Sequence, residues 1–356
     1  MKRVLVAAAT VEAGRGGIAR VARMSARALA ESRYSVTCIS YLDQSAVELG
    51  GERSHVAKGN KLHFLALCQA ASLRADFCLY DSAGIARARA RLPGLRRPYA
   101  VWMHGIEAWE NLSPAASDAL RGAALVLVNS HYTLRRFEAL HGVLPTARVC
   151  LLGTEDDAPA QAPRIAAEPR VLILSRIEEA ESYKGHAELI AAWPGVVARI
   201  PAARLVIAGG GSGVGRIREA AARSPVDGNI DVLGFVPEAQ VAEQWAQATV
   251  LAMPSRGEGF GLVYIEAMRL GLPVIASVHD AGEEVNVDGT TGFNVSLDHD
   301  GELTERIVML LGDAELAAHM GDAGRTRWTE HFCYSAFRAR FRSAIDGLFS
   351  DATSRP

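Results

Sequence analysis

The chain has 356 residues, of which 49% are hydrophobic and 22% are charged. This length exceeds what one hydrophobic core normally organises, and the composition excludes a disordered or fibrous chain. The formal net charge is −2, but residues 1–157 carry 20 Lys and Arg against 14 Asp and Glu, whereas residues 158–356 carry 18 against 26. The basic half predicts either contact with an acidic partner or an anionic membrane surface, or a solvated arginine-rich face.

Several functional classes are disfavoured by the same composition. Five cysteines without a CxxC pair argue against a disulfide framework and indicate a reducing compartment. The ten histidines avoid the spacings of zinc sites, so we expect no bound metal. We also expect no nucleic-acid partner. The apolar run 4–9 is too short for a signal peptide, and no uncharged stretch approaches the roughly 20 residues that span a bilayer. We therefore expect a cytoplasmic protein, with peripheral contact at the inner membrane face left open.

Short β-branched and leucine-rich runs alternate with helical patterns along the whole chain. This alternation is typical of parallel sheets covered by helices. In the first half, the predicted strands are residues 4–9, 35–40, 77–80, 99–104 and 125–129. In the second half, they are residues 171–175, 204–208, 230–234, 250–254 and 273–276.

These patterns predict an α/β protein of two Rossmann-like domains that face a cleft. The predicted amino-terminal domain is 1–157, and a segment rich in Ala, Pro and acidic residues makes 158–169 the linker. The carboxy-terminal domain is 170–333. Residues 334–356 are predicted to form a last helix that crosses back to the first domain, followed by a frayed tail.

The most informative stretch is MPSRGEGFGLVYIEAM, residues 253–268. It follows a predicted strand and runs into a helix that residues 271–273 end. Its three glycines leave room for backbone N–H groups to approach an anion, and the new helix adds its positive end. Glu258 lies on the loop and Glu266 on the helix, so the two carboxylates are placed to contact different parts of one ligand.

This stretch resembles the E-x7-E signature of retaining GT-B glycosyltransferases, notably glycosyltransferase family 4. The segments around it follow the order of that family: a strand leading to Arg176, the pair Lys184-Gly185, a glycine-turned strand at 205–211, a GFV turn at 234–236 and a DGxTG turn at 288–293. The resemblance covers residues 1–345 and is strongest over 170–293. Arg176 and Lys184 are eight residues apart, which is longer than the usual spacing in the family.

The resemblance implies a metal-independent, retaining hexosyltransferase without a cofactor. Its donor would be a nucleotide diphosphate sugar, GDP-mannose or a UDP-hexose, and its acceptor a hydroxyl of an oligosaccharide or lipid-linked glycan. Negative charge accumulates on the departing diphosphate, so Arg176 and Lys184 have a chemical reason to be cationic. The implied donor-binding residues are Gly16, Gly17, Arg176, Lys184, Phe235, Val236, Glu258, Gly259, Phe260, Gly261, Leu262 and Glu266.

The first half contributes two further motifs. The turn Arg15-Gly16-Gly17 opens a helix after the first strand and resembles the family's glycine turn near the donor diphosphate; a simple tight turn is the alternative. His104 ends a strand where the family has its active-site histidine; a satisfied core histidine is the alternative. By resemblance, His104 orients a donor hydroxyl and acts with Glu258, Arg176 and Lys184 in catalysis. Glu107 and Trp109 are candidate acceptor-pocket residues.

Structural explanations exist for each of these residues. Glu266 could cap or brace its helix, Arg176 could form an interdomain salt bridge, and Lys184-Gly185 could be an ordinary turn; their joint order favours the functional interpretation. A nucleotide-sugar epimerase and a non-catalytic nucleotide-binding or glycan-binding protein remain alternatives. The run GGGSGVG at 209–215 does not fit the GxGxxG spacing of NAD-dependent dehydrogenases.

Two other stretches carry weaker hypotheses. The basic residues within 87–97 could dock a phospholipid-bearing acceptor, although a solvated helix face is the simpler interpretation. Asp298-His299-Asp300 imitates a metal-binding DxD motif. It follows the last turn, and we expect it to lie away from the donor residues and to bind no metal.

Overall fold

A computed structural model describes residues 1–90, 96–110, 112–159 and 168–350. The chain divides into two compact units, Met1–Asp156 with Tyr334–Pro356 and Asp157–Cys333. Most of the predicted linker 158–169, part of the basic stretch 87–97 and the predicted tail beyond residue 350 lie outside the described residues. Each unit is an α/β structure with its own parallel sheet.

The first unit is built on a seven-stranded parallel sheet in the order β5-β2-β1-β6-β7-β8-β9. A two-stranded antiparallel hairpin, β3 with β4, lies outside it. The strands are β1 (Arg3–Ala8), β2 (Ser35–Ser40), β3 (Glu48–Leu49), β4 (Glu52–Arg53), β5 (His55–Val56), β6 (Phe77–Tyr80), β7 (Tyr99–Met103), β8 (Leu125–Val128) and β9 (Ala147–Val149).

Four helices of this unit connect the strands: α1 (Gly17–Glu31), α2 (Lys61–Ser72), α3 (Pro114–Arg121) and α4 (His131–His141). Three of them begin at a residue whose side chain accepts a hydrogen bond from a backbone N–H of the first turn, namely Asn60, Ser113 and Ser130. Such caps satisfy helix donors that lack a partner within the helix.

The second unit is built on a six-stranded parallel sheet in the order β12-β11-β10-β13-β14-β15. Its strands are β10 (Arg170–Leu174), β11 (Arg204–Ala208), β12 (Ile230–Gly234), β13 (Val250–Ala252), β14 (Val274–Ser277) and β15 (Gly292–Val295). Its helices are α5 (His186–Arg199), α6 (Val214–Ala222), α7 (Glu238–Gln247), α8 (Leu262–Leu270), α9 (Gly282–Val285), α10 (Glu302–Gly312) and α11 (Ala314–Arg327).

The final helix, α12 (Tyr334–Ser350), belongs to the first unit. The Trp102 ring stacks against Phe337 and Phe341, with centroid separations of 6.3 and 6.2 Å. The Tyr334 hydroxyl donates to a carboxylate oxygen of Glu31 in α1 at 3.1 Å. Buried aromatic contacts of this kind contribute large apolar areas to a core. The last helix is therefore an integral part of the first unit.

The predicted strands agree closely with the observed ones. β2, β6, β11 and β12 have the predicted bounds, and the other predicted strands end within two residues of the observed ones. Five further strands were not predicted from the sequence and span two to four residues each: β3, β4, β5, β9 and β15. Runs this short do not establish a hydrophobic period. Within the described part of the chain, no helix is both long and apolar enough to cross a bilayer.

Gly321, in the middle of α11, lies directly against the end of α8. A Cβ atom at this position would lie 2.0 Å from the carbonyl oxygen of Gly271. We expect Gly321→Ala to push the two helices apart and lower the free energy of unfolding by about 2 kcal/mol. Chemical denaturation followed by circular dichroism measures this change.

Gly215 in α6 provides the matched control, because a Cβ atom there would meet no heavy atom within 4 Å. Gly215→Ala should raise the free energy of unfolding by up to about 1 kcal/mol, since alanine favours the helix. Equal effects of the two substitutions would contradict the close helix contact at Gly321.

Candidate functional site

Three loops of the second unit meet where β10, β11 and β12 end. The backbone N–H of Ile177 donates to the carbonyl of Gly210 at 2.9 Å, and the N–H of Gly209 donates to the carbonyl of Gly234 at 2.8 Å. A Cβ atom at Gly209 would lie 1.7 Å from the carbonyl oxygen of Ser175, and the φ angle of Gly209 is +148°. Glycine is thus required for the backbones to approach this closely.

Phe235 follows β12 and presents an exposed aromatic ring, with 77% of its surface accessible. A Cβ atom at Gly210 would lie 3.1 Å from the Phe235 side chain. Val236, the next residue, is half-buried. Phe235 and Val236, which are predicted to bind the donor, therefore lie at the same end of the sheet as the loop after β10.

Arg176 follows β10 and extends into solvent, with 62% of its side chain exposed. Its guanidinium pairs with the carboxylate of Glu181, and Arg176 Nε lies 3.2 Å from Glu181 Oε2. Partial burial opposes the charge, but the Glu181 carboxylate outweighs it and holds the pKa of Arg176 above its usual range. Sequence reasoning did not single out Glu181.

Lys184 ends a short 3₁₀ segment, Glu179–Lys184, and only 12% of its side chain is exposed. Its Nζ lies 2.7 Å from Glu258 Oε1 and 3.7 Å from Glu181 Oε2. Burial lowers the pKa of Lys184, and the attraction of Glu258 reverses this effect, so that the net pKa lies above the usual value. Lys184 is therefore a protonated cation.

The structure thus brings together three predicted catalytic residues, Arg176, Lys184 and Glu258, in one chain of ion pairs linked by Glu181. The end of β10 is also fixed to the start of α5, since the Ser175 hydroxyl lies 3.0 Å from the His186 Nε2. Burial lowers the pKa of His186 to about 4, so its ring is neutral at physiological pH. The salt bridge that Arg176 forms is with Glu181 of its own unit, beside Lys184.

The glycine-rich loop packs against the turn that carries Lys184. The backbone N–H of Arg256 donates to the carbonyl of Tyr183 at 2.9 Å. A Cβ atom at Gly257 would lie 2.9 Å from the Tyr183 ring, and a Cβ atom at Gly261, whose φ angle is +85°, would lie 2.3 Å from the ring of Tyr264. These glycines are needed for the loop to lie against two aromatic rings.

Asp280 is a buried carboxylate that sequence reasoning missed. Its Oδ2 accepts the backbone N–H of Glu258 at 2.9 Å, and its Oδ1 accepts that of Gly282 at 2.8 Å. Burial raises the pKa of Asp280 to about 7, although the two N–H groups favour its ionised form. Asp280 therefore positions the backbone of Glu258.

The remaining residues of the motif differ in exposure. Phe260 is buried, and its ring lies edge-on to Phe332 with centroids 5.9 Å apart, so its side chain belongs to the core of the unit. Gly259, Leu262 and Glu266 are half-buried. Leu262 begins α8, and Glu266 lies on that helix.

The prediction that Asp298-His299-Asp300 lies away from the donor residues was wrong. The Asp298 carboxylate pairs with Arg256, with Oδ1 and Nη2 2.7 Å apart, and Arg256 belongs to the glycine-rich loop. The segment therefore lies beside the predicted donor residues, because β15 is paired with β14 and its following loop reaches the same end of the sheet.

In the first unit, Gly16 and Gly17 form the exposed turn that opens α1. Gly16 has a φ angle of +92°, which favours glycine, and Gly17 is the first helical residue. The first turn of α1 contains no acidic residue. The helix therefore presents backbone N–H groups and the positive end of its dipole, an arrangement that suits an anion.

His104 lies in the loop after β7, with its ring stacked on Trp102 at a centroid distance of 5.9 Å. Its Nε2 is 2.7 Å from the main-chain carbonyl oxygen of Asp81. Since a carbonyl only accepts, Nε2 carries the hydrogen, and in the neutral ring Nδ1 keeps a lone pair. This tautomer can accept a hydrogen bond from a hydroxyl group.

Side-chain hydrogen bonds fix both the backbone N–H and the backbone carbonyl of His104. Glu107 Oε1 accepts the His104 N–H at 2.6 Å, and Asn129 Nδ2 donates to the His104 carbonyl at 2.6 Å. Glu107 therefore positions His104.

Asp81, whose main-chain carbonyl contacts the His104 ring, has a buried carboxylate. This carboxylate accepts the backbone N–H of Ala9, and burial raises its pKa to about 6.

Trp109 belongs to the core of the first unit, with 1% of its surface exposed and the Arg136 guanidinium 4.5 Å from its ring centroid. An acceptor would not reach this ring at the surface.

In the basic stretch 87–97, Arg89 pairs with Asp118, and Arg97 Nε donates to the carbonyl of Ala75 at 3.0 Å. Both arginines are used in contacts within the unit.

Comparisons with known proteins place the chain in a family. Residues 156–327 match the family described as "Glycosyl transferases group 1". Over 280 residues, the chain is 30% identical to a GDP-mannose-dependent alpha-(1-6)-phosphatidylinositol monomannoside mannosyltransferase of Mycobacterium tuberculosis, covering 73% of this chain and 72% of that protein. The chain belongs to the group 1 glycosyltransferases. The protein of the same description from Mycolicibacterium smegmatis is 31% identical over 279 residues, 72% of each chain.

The fold of this group 1 glycosyltransferase is also found in solved structures. It resembles a sucrose-phosphate synthase from Thermosynechococcus elongatus with a TM-score of 0.82 at 21% identity, covering 98% of this chain and all of the other. A glycosyltransferase from Rickettsia africae gives a TM-score of 0.73 at 16% identity, covering 99% of this chain and all of the other. The predicted GT-B fold, with two Rossmann-like domains, is confirmed.

Glu107 offers a test of the His104 arrangement. Glu107→Ala leaves the His104 N–H without its acceptor, so we expect kcat/KM for sugar transfer to fall about tenfold. Glu107→Gln keeps an acceptor oxygen and should retain most of the activity. Glu110→Ala removes an exposed carboxylate three residues away and is the control. Equal losses for the Ala and Gln variants would contradict the hydrogen-bond role.

Asp280 predicts a pH dependence. Above about pH 7 the carboxylate is ionised and accepts both N–H groups most strongly, so kcat/KM should rise as the pH increases through 7. Asp280→Asn cannot ionise and its amide cannot accept from both groups, so we expect a loss of about tenfold and no step near pH 7. The pH–rate profiles of the two proteins measure this, and an unchanged step in the variant would refute it.

Proposed function

We propose that this protein is a retaining, metal-independent mannosyltransferase of the family 4 type that transfers mannose from GDP-mannose to a hydroxyl of a glycolipid. The observation that carries the proposal is the convergence of Arg176, Lys184 and Glu258 where the strands of the second sheet end. The names of the mycobacterial relatives support GDP-mannose as the donor and a phosphatidylinositol-linked sugar as the class of acceptor.

The cations of the second unit suit a diphosphate leaving group. Charge accumulates on the phosphate oxygens as the glycosidic bond breaks, and hydrogen bonds to charged groups contribute about 1.5–3 kcal/mol each. Lys184 is held protonated, and Arg176 is charged at all relevant pH values. With two fixed cations at this position, we propose that the reaction requires no added divalent metal.

The other donor contacts are proposed from the resemblance and from where the side chains lie. The exposed Phe235 and the backbone of Val236 would lie near the base, and Glu266 would bind the ribose hydroxyls. The N–H groups of Gly259, Phe260, Gly261 and Leu262 would face the sugar and the diphosphate. Gly16 and Gly17 would add the positive end of α1 to the diphosphate.

The proposed mechanism is substitution on one face of the sugar. The bond between the anomeric carbon and the phosphate oxygen breaks, the acceptor oxygen bonds to the same face, and the departing phosphate oxygen takes the acceptor's proton. Glu258 is paired with Lys184 at 2.7 Å, which reduces its strength as a nucleophile. His104, with its hydrogen on Nε2, would accept from a donor hydroxyl through Nδ1 and would not act as the general base.

A lipid-linked acceptor places the reaction at a membrane surface. We therefore propose a cytoplasmic protein that contacts the inner membrane face peripherally. The basic balance of residues 1–157 agrees with an anionic surface. Arg89 and Arg97 are less available for such contact than the sequence suggested, because both are held within the first unit.

A transfer assay tests the proposal. GDP-mannose and UDP-glucose are each incubated with phosphatidylinositol mannosides as acceptors, and the product linkage is determined by NMR spectroscopy. We expect α-linked mannose from GDP-mannose, unchanged activity in EDTA, and a loss of kcat of about 100-fold or more in Lys184→Ala. Thermal melting checks that the variant is folded.

The outcomes separate this proposal from its alternatives. Conversion of the donor sugar without acceptor would indicate a nucleotide-sugar epimerase, and binding without turnover would indicate a non-catalytic binding protein. A strict requirement for added divalent metal would refute the metal-independent mechanism, and a β-linked product would refute retention.

A further inference from the structure

Glu181 lies between the two cations assigned to the donor diphosphate. Its carboxylate pairs with the guanidinium of Arg176, with Nε and Oε2 3.2 Å apart, and Oε2 lies 3.7 Å from Lys184 Nζ. Both contacts are made by the carboxylate oxygens. Glu181 thus occupies the position between Arg176 and Lys184 in which phosphate oxygens would receive hydrogen bonds from both.

Glu181 lies within the eight-residue interval between Arg176 and Lys184. Within the segment Glu179–Lys184, Glu181 leaves helical geometry with φ −109° and ψ 42°, and its N–H donates to the carbonyl of Glu178 at 3.0 Å. This local bend turns the side chain back towards Arg176 and Lys184. The turn itself is fixed by Tyr183, whose carbonyl accepts the N–H of Arg256.

The charges of this cluster balance. Arg176 and Lys184 supply two positive charges, and Glu181 and Glu258 supply two negative charges. A diphosphate that approached the cluster as it stands would meet no net positive charge, and its oxygens would face the Glu181 carboxylate. Displacement of Glu181 leaves a net positive charge and frees the hydrogen-bond donors of Arg176.

The two carboxylates are not equally placed for displacement. Glu258 is 2.7 Å from Lys184, and its backbone is fixed by Asp280. Glu181 is 3.7 Å from Lys184, and its other partner, Arg176, is the more exposed cation of the cluster. The two carboxylates are equally buried, with 17% of the Glu181 side chain and 16% of the Glu258 side chain exposed, so the difference lies in their cations. Because 62% of the Arg176 side chain is exposed, a diphosphate can reach its guanidinium, and Glu181 is the carboxylate that it exchanges most easily.

We propose that Glu181 is a displaceable counter-ion that occupies the diphosphate position and weakens the binding of the nucleoside diphosphate product. This inference rests on the proposed function, since it assigns the same two cations to the diphosphate. Glu181 exchanges with the phosphate oxygens when the donor binds and returns to Arg176 and Lys184 as the product leaves. It is therefore a residue that sets product affinity.

The test is the affinity for GDP and UDP, measured by isothermal titration calorimetry. Glu181→Gln keeps the size of the side chain but removes its charge, and it should bind the nucleoside diphosphate about tenfold more tightly than the native protein. Glu179→Gln removes the same charge from an exposed residue in the same turn and should bind like the native protein. In turnover, Glu181→Gln should show stronger product inhibition.

The sign of the effect decides between two roles. If Glu181 only holds Arg176 and Lys184 in place, Glu181→Gln binds GDP or UDP more weakly or equally, and the counter-ion role is refuted. Equal tightening by Glu179→Gln would show a general charge effect and would also refute it.

Arg176→Ala and Lys184→Ala separate this inference from the proposed function. Both should lose affinity for the nucleoside diphosphate if the cations bind it, and thermal melting verifies their folding. If these variants bind as the native protein does, or if the native protein binds neither nucleotide, the proposed site itself fails. If they lose affinity while Glu181→Gln does not gain it, only the counter-ion role fails.

Discussion

The ion pair between Lys184 and Glu258 is the interaction on which the architecture of the second unit's site depends. A largely buried ammonium group is stable only beside a carboxylate, because its loss of hydration must be compensated. The pair joins the turn after β10 to the loop after β13. Beside the pair, Gly257 lies against the Tyr183 ring, and Asp280 accepts the backbone N–H of Glu258. The glycine and the buried aspartate thus fix the loop that carries Glu258.

The strand order explains why this pair lies where it does. From β10, the chain passes to β11 and β12 on one side of the sheet and then to β13, β14 and β15 on the other. The loops that follow β10 and β13 therefore lie next to each other at the carboxyl ends of the strands, where Lys184 meets Glu258. In the first unit, the same reversal occurs at β1, where the loops after β1 and β6 carry Gly16 and Asp81.

The two units use different means to fix their polar groups. In the second unit, charges of opposite sign hold one another, from Arg176 through Glu181 to Lys184 and Glu258. In the first unit, His104 is fixed by hydrogen bonds to the main chain of Asp81 and to the side chain of Glu107. The hydrogen bonds of His104 select one tautomer of its ring, whereas the ion pairs of the second unit keep a lysine protonated. Both arrangements preorganise groups before a ligand arrives.

The sequence by itself determined the two α/β units, most of their strands and the identity of Arg176, Lys184, Glu258 and His104 as candidate site residues. Hydrophobic runs and the loops at their ends are local features, so they can be recognised along the chain. The roles of Glu181, Asp280 and Glu107, the burial of Trp109 and the approach of Asp298 to Arg256 were decided only by the tertiary structure. The contacts of Asp280 and Asp298 depend on which loops the strand order brings together, and residues 22 or 42 positions apart show no local pattern that predicts their contact. The contacts of Glu181 and Glu107 join residues three to five positions apart, and they depend on how the backbone turns between those residues.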